Sequence, residues 1–357
     1  MSDNFIPSLC ARISDAANRK SALRIRGGGS KDFYGADKRG EVCDVGDYRG
    51  IVAYEPKELV LTVRAGTPLA EVEAALAAER QMLPFEPPHF SNGPSGGSAT
   101  IGGTVATGLS GPRRAFAGAV RDFVLGTRIV NGKGEDLAFG GRVIKNVAGY
   151  DVSRLMAGAL GTLGVITEIS FKVLPSPPAE ATLSFELPEA DAITNANIWA
   201  GQPLPISATA WQDGVLRVRL SGAETAVEAA HVKMGGELVP DARKYWDDVR
   251  EHRLAFFASD RPLWRISVPQ NAQPLALGKP QLIEWGGGLR WVSGELDVLT
   301  VRSTTERAGG HAMLFRGGDK SVGVFHPLKP ALDKIHRRLK AAFDPAGILN
   351  PGRMYDF

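Results

Sequence analysis

The stretch LRIRGGGSKDFYG, residues 23–35, alternates apolar and charged side chains and then runs into three bare backbone positions. Leu23 and Ile25 point one way and Arg24 and Arg26 the other, the period of a half-buried strand. Gly27, Gly28 and Gly29 then end it. A glycine run reaches positive φ and lets another group approach the main chain, because no Cβ stands in the way. Its N–H groups are able to converge on an anion, as in phosphate-binding nests. The spacing fits neither G-x-x-x-x-G-K-[ST] nor G-x-G-x-x-G. Taken alone, the stretch reads equally as an ordinary tight turn.

The 357-residue chain is 43% apolar and 23% charged, the composition of a globular protein long enough for two domains. It carries 42 glycines and 23 prolines, which suits loops that approach a ligand closely. A formal charge of +3, with scattered basic residues, lacks the cationic stripe that nucleic acid requires. No apolar run reaches the length of a membrane span, and the start MSDNFIPSLCARISDAANRK lacks the charged and apolar regions of a secretory signal. A cytoplasmic location is expected, with peripheral attachment at a membrane through a partner left open. Cys10 and Cys43 form no C-x-x-C pair, and an iron–sulfur cluster takes four ligands. No metal site is expected. If electrons move here, an organic cofactor carries them.

Along the chain, Leu59–Val63 reads as a strand, followed by a helix with Thr67 as N-cap and Pro68 at its first position. Residues 87–118 are rich in Gly, Ser, Thr and Pro yet hold Ile101 and Val105, so they read as a chain segment lying along a flat ligand. Phe123–Val130 is a strand turned at Asn131-Gly132. Asp151 is placed to cap a short helix through Leu155 and Met156, and the run from Val165 to Val173 is a strand. The proline-rich Pro175–Pro178 predicts a boundary between a domain of residues 1–175 and one of residues 176–357.

Beyond that boundary TLSFEL reads as a strand, ADAITNANIWA and AETAVEAAHVKMGG as helices, and ARKYWDDVREHRLAFF as a longer helix. A hairpin turns at Asp213-Gly214. LWRISV, LRWV and DVLTVRS read as strands, and residues from 329 on form an amphipathic helix with a Pro/Gly-rich tail. The pattern predicts an α+β fold, with an antiparallel sheet covered by helices in the second domain.

Five segments, RIRGGGSKDFYG, TIGGTVATGLSG, GAVRDFVLG, KNVAGYDVSRLMAGALGTLGVITEI and FDPAGILNPGRM, together resemble the vanillyl-alcohol oxidase and p-cresol methylhydroxylase (PCMH-type) family of FAD-binding proteins. Within it they look most like the D-lactate and glycolate dehydrogenase branch. The resemblance is dense to about residue 175 and thin beyond. It implies a PCMH-type FAD-binding domain built of two α+β subdomains, a ferredoxin-like α+β second domain, and a C-terminal tail that packs back.

It also implies that Gly27, Gly28, Gly29 and Ser30 wrap the FAD pyrophosphate. Thr100, Gly102, Gly103, Thr104, Ala106 and Gly108 would line the ribityl chain and ring, with Gly161, Val165 and Ile166 alongside. Covalent relatives have a histidine where this chain has Ser30, so non-covalent FAD is expected. Short members of the branch serve as FAD-binding subunits of a 2-hydroxy acid (glycolate) oxidase, beside a longer flavoprotein subunit and an iron–sulfur subunit. Those partners and a small 2-hydroxy acid substrate are expected here.

Oxidising a 2-hydroxy acid at a flavin calls for a base, a cation for the carboxylate, and a hydride acceptor. Relatives supply an H-x-G-D-G-N motif that this chain lacks. His311, in GGHAMLFRGGD, is the weak candidate base, and a packed structural histidine is its bland alternative. His326 has the same two readings, His89 reads as facing the flavin or as a solvated loop residue, and Arg302 and Arg316 read as cations that could pair with a carboxylate. Tyr150 and Asp151, with Lys145 and Asn146, read either as cap and packing residues or as cofactor contacts. Three functions stay open: a flavin subunit of a complex, a self-sufficient 2-hydroxy acid (D-lactate) dehydrogenase, and a scaffold that retains the flavin.

Overall fold

The structure, a computed structural model, describes residues 4–91, 95–141 and 151–357. Lys145, Asn146 and Tyr150 lie outside the described residues. The first part contains strands β1 (Leu23–Arg26), β2 (Glu41–Asp44), β3 (Ile51–Glu55), β4 (Val60–Arg64), β5 (Gln81–Met82), β6 (Val124–Val130), β7 (Asp136–Gly140), β8 (Val165–Lys172) and β9 (Leu174–Pro175). Helices α1 (Phe5–Arg19), α2 (Leu69–Ala78), α3 (Ile101–Thr107), α4 (Arg114–Ala117), α5 (Val120–Phe123) and α6 (Val152–Met156) lie between them.

Two small layers meet here. In one, β1 pairs in parallel with β2, and α1 buries Leu9, Ile13 and Ala16 against Leu23 and Cys43. In the other, β3-β4-β8-β6-β7 form an antiparallel sheet. Val63, Ile129, Ile169 and Phe171 of that sheet are fully buried against Leu69, Val72 and Leu76, the apolar face of α2. The glycine loop leaves β1 where these layers adjoin.

The second part contains β10 (Ala179–Glu186), α7 (Glu189–Ala200), β11 (Ile206–Gln212), β12 (Val215–Gly222), α8 (Glu224–Met234), β13 (Glu237–Leu238) and α9 (Arg243–Arg250). It continues through β14 (Leu263–Ser267), β15 (Gln281–Glu284), β16 (Leu289–Ser293), α10 (Val298–Arg307), β17 (His311–Arg316) and α11 (Pro330–Phe343). All eight strands join one antiparallel sheet, ordered β13-β10-β12-β11-β15-β16-β14-β17. Its first half is a βαββαβ unit with strand order 4-1-3-2, the ferredoxin-like arrangement. The second half reads 2-3-1-4, the same arrangement reflected across the β11–β15 pair, with coil in place of its first helix. One ferredoxin-like unit was the expectation, and two stand edge to edge. The Asp213-Gly214 hairpin has φ of 49° and 85°, as a two-residue turn between twisted strands demands.

Three local expectations change. DVLTVRS is not a strand: Asp297 caps α10 by accepting from the Thr300 amide and hydroxyl at 2.8 Å, and Val301 and Thr305 are buried one turn apart. Its β-branched residues favour a strand only weakly, and the cap and helical spacing outweigh them. Thr67 does not cap α2. Pro68 holds that position, and the Thr67 hydroxyl donates to the Arg64 carbonyl at 2.7 Å and accepts from the Gly50 amide at 2.8 Å. The long helix expected through residue 257 ends at Arg250, where the chain turns at His252 with φ 54°. Within the small-residue run, residues 101–107 coil into α3.

Candidate functional site

The glycine loop, the start of α3 and the start of β8 enclose a cleft of about 740 Å³ counted out to its mouth. Ten of the thirteen positions expected to touch the cofactor line it: Gly27, Gly28, Gly29, Ser30, Thr100, Gly102, Gly103, Ala106, Gly161 and Ile166. Three turn elsewhere. Thr104 is buried with its hydroxyl unpartnered, Gly108 ends α3 in a left-handed turn against Gly158, and Val165 packs in the core beside Leu23.

The triglycine is bare for two reasons. A Cβ on Gly27 or Gly28 would strike Thr100 or the carbonyl of Ser98, and Gly29 has φ 78°. Gly29 also forms a parallel bridge with Ser98. The loop is therefore pressed against residues 98–100, and the same absence of side chains leaves its other side open to the cleft. Gly102 works similarly: its Cβ would come within 2.7 Å of the Ala65 side chain, so only glycine lets α3 lie on β4's end.

Several lining residues were not read from the sequence. Lys31 is 8% exposed, and among the described residues its ammonium reaches only the Ser30 hydroxyl, at 3.5 Å. Burial lowers its pKa to about 8, despite the pull of Glu251 and Glu73. Arg26 pairs with Asp32 at 3.2 Å, and Asp32 also holds Lys38 at 3.0 Å. From the far end of the chain come Asn350 and Arg353. The Asn350 side-chain oxygen accepts from the Ile25 amide at 2.8 Å, and its amide nitrogen donates to the Leu160 carbonyl at 2.6 Å. Arg353 donates to the Asp32 carbonyl at 3.1 Å and to that of Ala36. No local signal marks a residue 325 positions away as the partner of β1.

The candidates for chemistry scatter. His311 opens β17, exposed and opposite Ser267, outside the cleft lining. His326 lies 2.9 Å from Glu306 and accepts from the Ala312 amide, and His89 lies 2.8 Å from Glu73. Arg302 is spent on the carbonyls of Val322, Gly323 and Phe325, and Arg316 on that of Phe257. Asp151 caps α6 by accepting from the Arg154 amide at 3.1 Å, its structural reading. Where the second part faces the cleft, Tyr34, Leu109 and Leu160 share one apolar cluster with Leu289, Trp291, Met313 and Phe315.

These features define a class. Residues 7–140 match the FAD binding domain family, and residues 328–354 match the C-terminal domain of FAD linked oxidases. Over 352 residues the chain is 48% identical to the glycolate oxidase subunit GlcE of Escherichia coli (strain K12), covering 99% of this chain and 98% of that one. The chain therefore belongs to the FAD-linked oxidase family, in the group represented by that GlcE subunit. It is also 32% identical over 157 residues to the glycolate oxidase subunit GlcD of Bacillus subtilis (strain 168), across 43% of this chain and 32% of the relative.

Among solved structures, p-cresol methylhydroxylase with substrate bound matches with TM-score 0.69 at 17% identity, over 98% of this chain and 87% of that one. Alkyldihydroxyacetonephosphate synthase matches with TM-score 0.65 at 16% identity, over 97% and 75%. The PCMH-type fold is thus shown, and the chain is an FAD-dependent oxidoreductase. The cleft suits this cofactor: it offers a glycine cradle without Cβ atoms and a buried lysine that no carboxylate in the described residues neutralises.

Proposed function

We propose that this chain is the FAD-binding subunit of a complex that oxidises glycolate to glyoxylate. FAD would lie without a covalent bond in the glycine-walled cleft, with Gly27 to Lys31 around the pyrophosphate and Thr100, Gly102, Gly103 and Ala106 along the ribityl chain. Lys31 would supply positive charge to the phosphates, and Asn350 and Arg353 would hold the loop that carries them. When bound, the cofactor supplies the hydride acceptor, chemistry that belongs to the flavin itself. The chain's own residues bind and orient it and cover it with the apolar cluster around Leu160. Two cysteines fall short of the four that a cluster requires, so an iron–sulfur carrier would belong to a partner, and the relative's being a subunit supports a complex in which a longer flavoprotein subunit also takes part.

The observation that carries this reading is the glycine cradle in a chain alike from end to end to a glycolate oxidase subunit. Among the described residues no helix is long and apolar enough to cross a membrane, so attachment at a membrane would run through the complex. The test is to load the purified chain with FAD and follow the flavin absorbance anaerobically as glycolate and then D-lactate are added. Uptake of flavin with bleaching by glycolate is expected. A chain that takes up no FAD, or a native preparation that is a lone monomer, would overturn the reading.

A further inference from the structure

A pair of arginines lies on the face of the eight-stranded sheet that meets the cofactor domain. Arg265 projects from β14 on the same face as Leu263, among Tyr34, Trp285 and Trp291. Its guanidinium stands 5.4 Å from the centre of the Trp285 ring and 6.0 Å from that of Trp291. Arg114, at the start of α4, stands 4.4 Å from the same Trp285 ring. The indole is fixed in place, since its N–H donates to the Gly111 carbonyl at 3.1 Å.

Other arginines of this region are occupied. Arg113 and Arg219 share Glu86, and Arg316 and Arg302 donate to carbonyls. Among the described residues, neither Arg265 nor Arg114 makes a salt bridge or a side-chain hydrogen bond. Arg265 nevertheless keeps accessible surface inside the fold, where burial disfavours its charge. Glu284 is the carboxylate that faces it, yet Glu284 accepts from the Trp291 indole at 2.8 Å, and burial raises its pKa to about 7. Its compensation of Arg265 is therefore incomplete at neutral pH. Arg265 disfavours the charge of Arg114, and both guanidiniums stand over one indole with no carboxylate in a salt bridge among the described residues.

We propose that Arg265 and Arg114, set on Trp285, are the anchor for the carboxylate of the small 2-hydroxy acid oxidised at this chain's flavin. This rests on the function proposed above and adds that the chain carries its own substrate site. The placement supports it. Trp285, Trp291 and Leu160 belong to one cluster, and Leu160 also walls the cofactor cleft. Arg114 is exposed and Arg265 lies deep, so the pair draws an anion from solvent inward. A guanidinium fits a carboxylate by two parallel N–H donors.

The test uses oxalate, an unreactive carboxylate, titrated into the FAD-loaded chain and followed by calorimetry and by indole fluorescence. Wild type should bind, Arg265→Met should weaken binding at least tenfold, Arg265→Lys should fall between, and Arg114→Met should weaken it several-fold. Flavin content and melting temperature should stay at the wild-type values. Because Arg114 is exposed, its variant folds even if the deeper one does not. Equal oxalate affinity in wild type and variants, or no binding by wild type, overturns the anchor. The same titration on the flavin-free chain separates the two proposals: failure to take up FAD counts against the function, and loss of arginine dependence against the anchor.

Discussion

Lys31 holds an ammonium beside the glycine loop with no carboxylate among the described residues in hydrogen-bond reach. Its fall from 10.5 to about 8 corresponds to ~3 kcal/mol, at ~1.4 kcal/mol per unit. The folded, flavin-free chain carries that cost below pH 8, where the lysine is protonated both folded and unfolded. The cost is relieved as pH rises from about 8 to 10.5, because there the unfolded chain holds the extra proton. An anionic cofactor does the opposite and favours the charged lysine. FAD affinity should therefore weaken as pH rises above about 8, and Lys31→Met should weaken it at pH 7 and flatten the pH profile. Fluorescence titration of FAD between pH 6.5 and 10 measures both, and an unchanged profile in the variant would remove Lys31 from the site. The sequence exposed the glycines beside this residue but not the lysine's role. Burial alone does not single it out, since Lys340 is as deeply buried, but Lys340 pairs with Asp344 and Lys31 pairs with no carboxylate among the described residues.

At the scale of elements, the cleft depends on how the tail is held. Lys340, on α11, donates to Asp344 at 2.7 Å and to the carbonyls of Thr162 and Leu349 at 2.8 Å. Asp344 in turn accepts from the amides of Ile348 and Leu349. This buried knot sets the chain that runs beside β1, where the Leu23 amide donates to Ile348 and the Asn350 amide to Leu23. Removing one member leaves a buried charge without its partner. Lys340→Met should cost about 3–5 kcal/mol in stability, and with it the FAD content. A variant that melts like wild type with full flavin would show that the tail does not depend on the knot.

Elements were legible where pattern and packing agree. The alternation in β8 and the Asp213-Gly214 turn read correctly from residues alone. DVLTVRS did not, because strand-favouring side chains there sit on a capped helix whose burial at Val301 and Thr305 is a tertiary fact.

The whole molecule is joined by charge as well as by apolar contact. Glu86, from the loop after β5, accepts from the Arg113 amide at 2.9 Å and its guanidinium at 3.2 Å, and from Arg219 of β12 at 2.9 Å. Arg113 also reaches Glu180 of β10. Burial raises the Glu86 pKa, but the two arginines outweigh it and hold the carboxyl below its ordinary 4.5. The link is thus fully present above pH 4.5 and is lost as pH falls through the lowered value. We propose that the units it joins divide at Pro175–Pro178. Glu86→Gln should destabilise the chain by about 3 kcal/mol and split calorimetric unfolding into two transitions at pH 7. A single transition at the wild-type temperature would contradict that.

By itself, the sequence determined the α+β class and the glycine run, which depend on local period, turn chemistry and missing side chains, and its resemblance to a known family pointed to ten of the residues that line the cleft. The tertiary structure decided the rest. It brought Asn350 and Arg353 to β1, buried Lys31, doubled the ferredoxin-like unit, left His311 outside the cleft lining and set Arg265 and Arg114 over Trp285. Each of these joins residues from separate elements. Local pattern records which face of an element is apolar, and it carries nothing about which distant charge that face will meet.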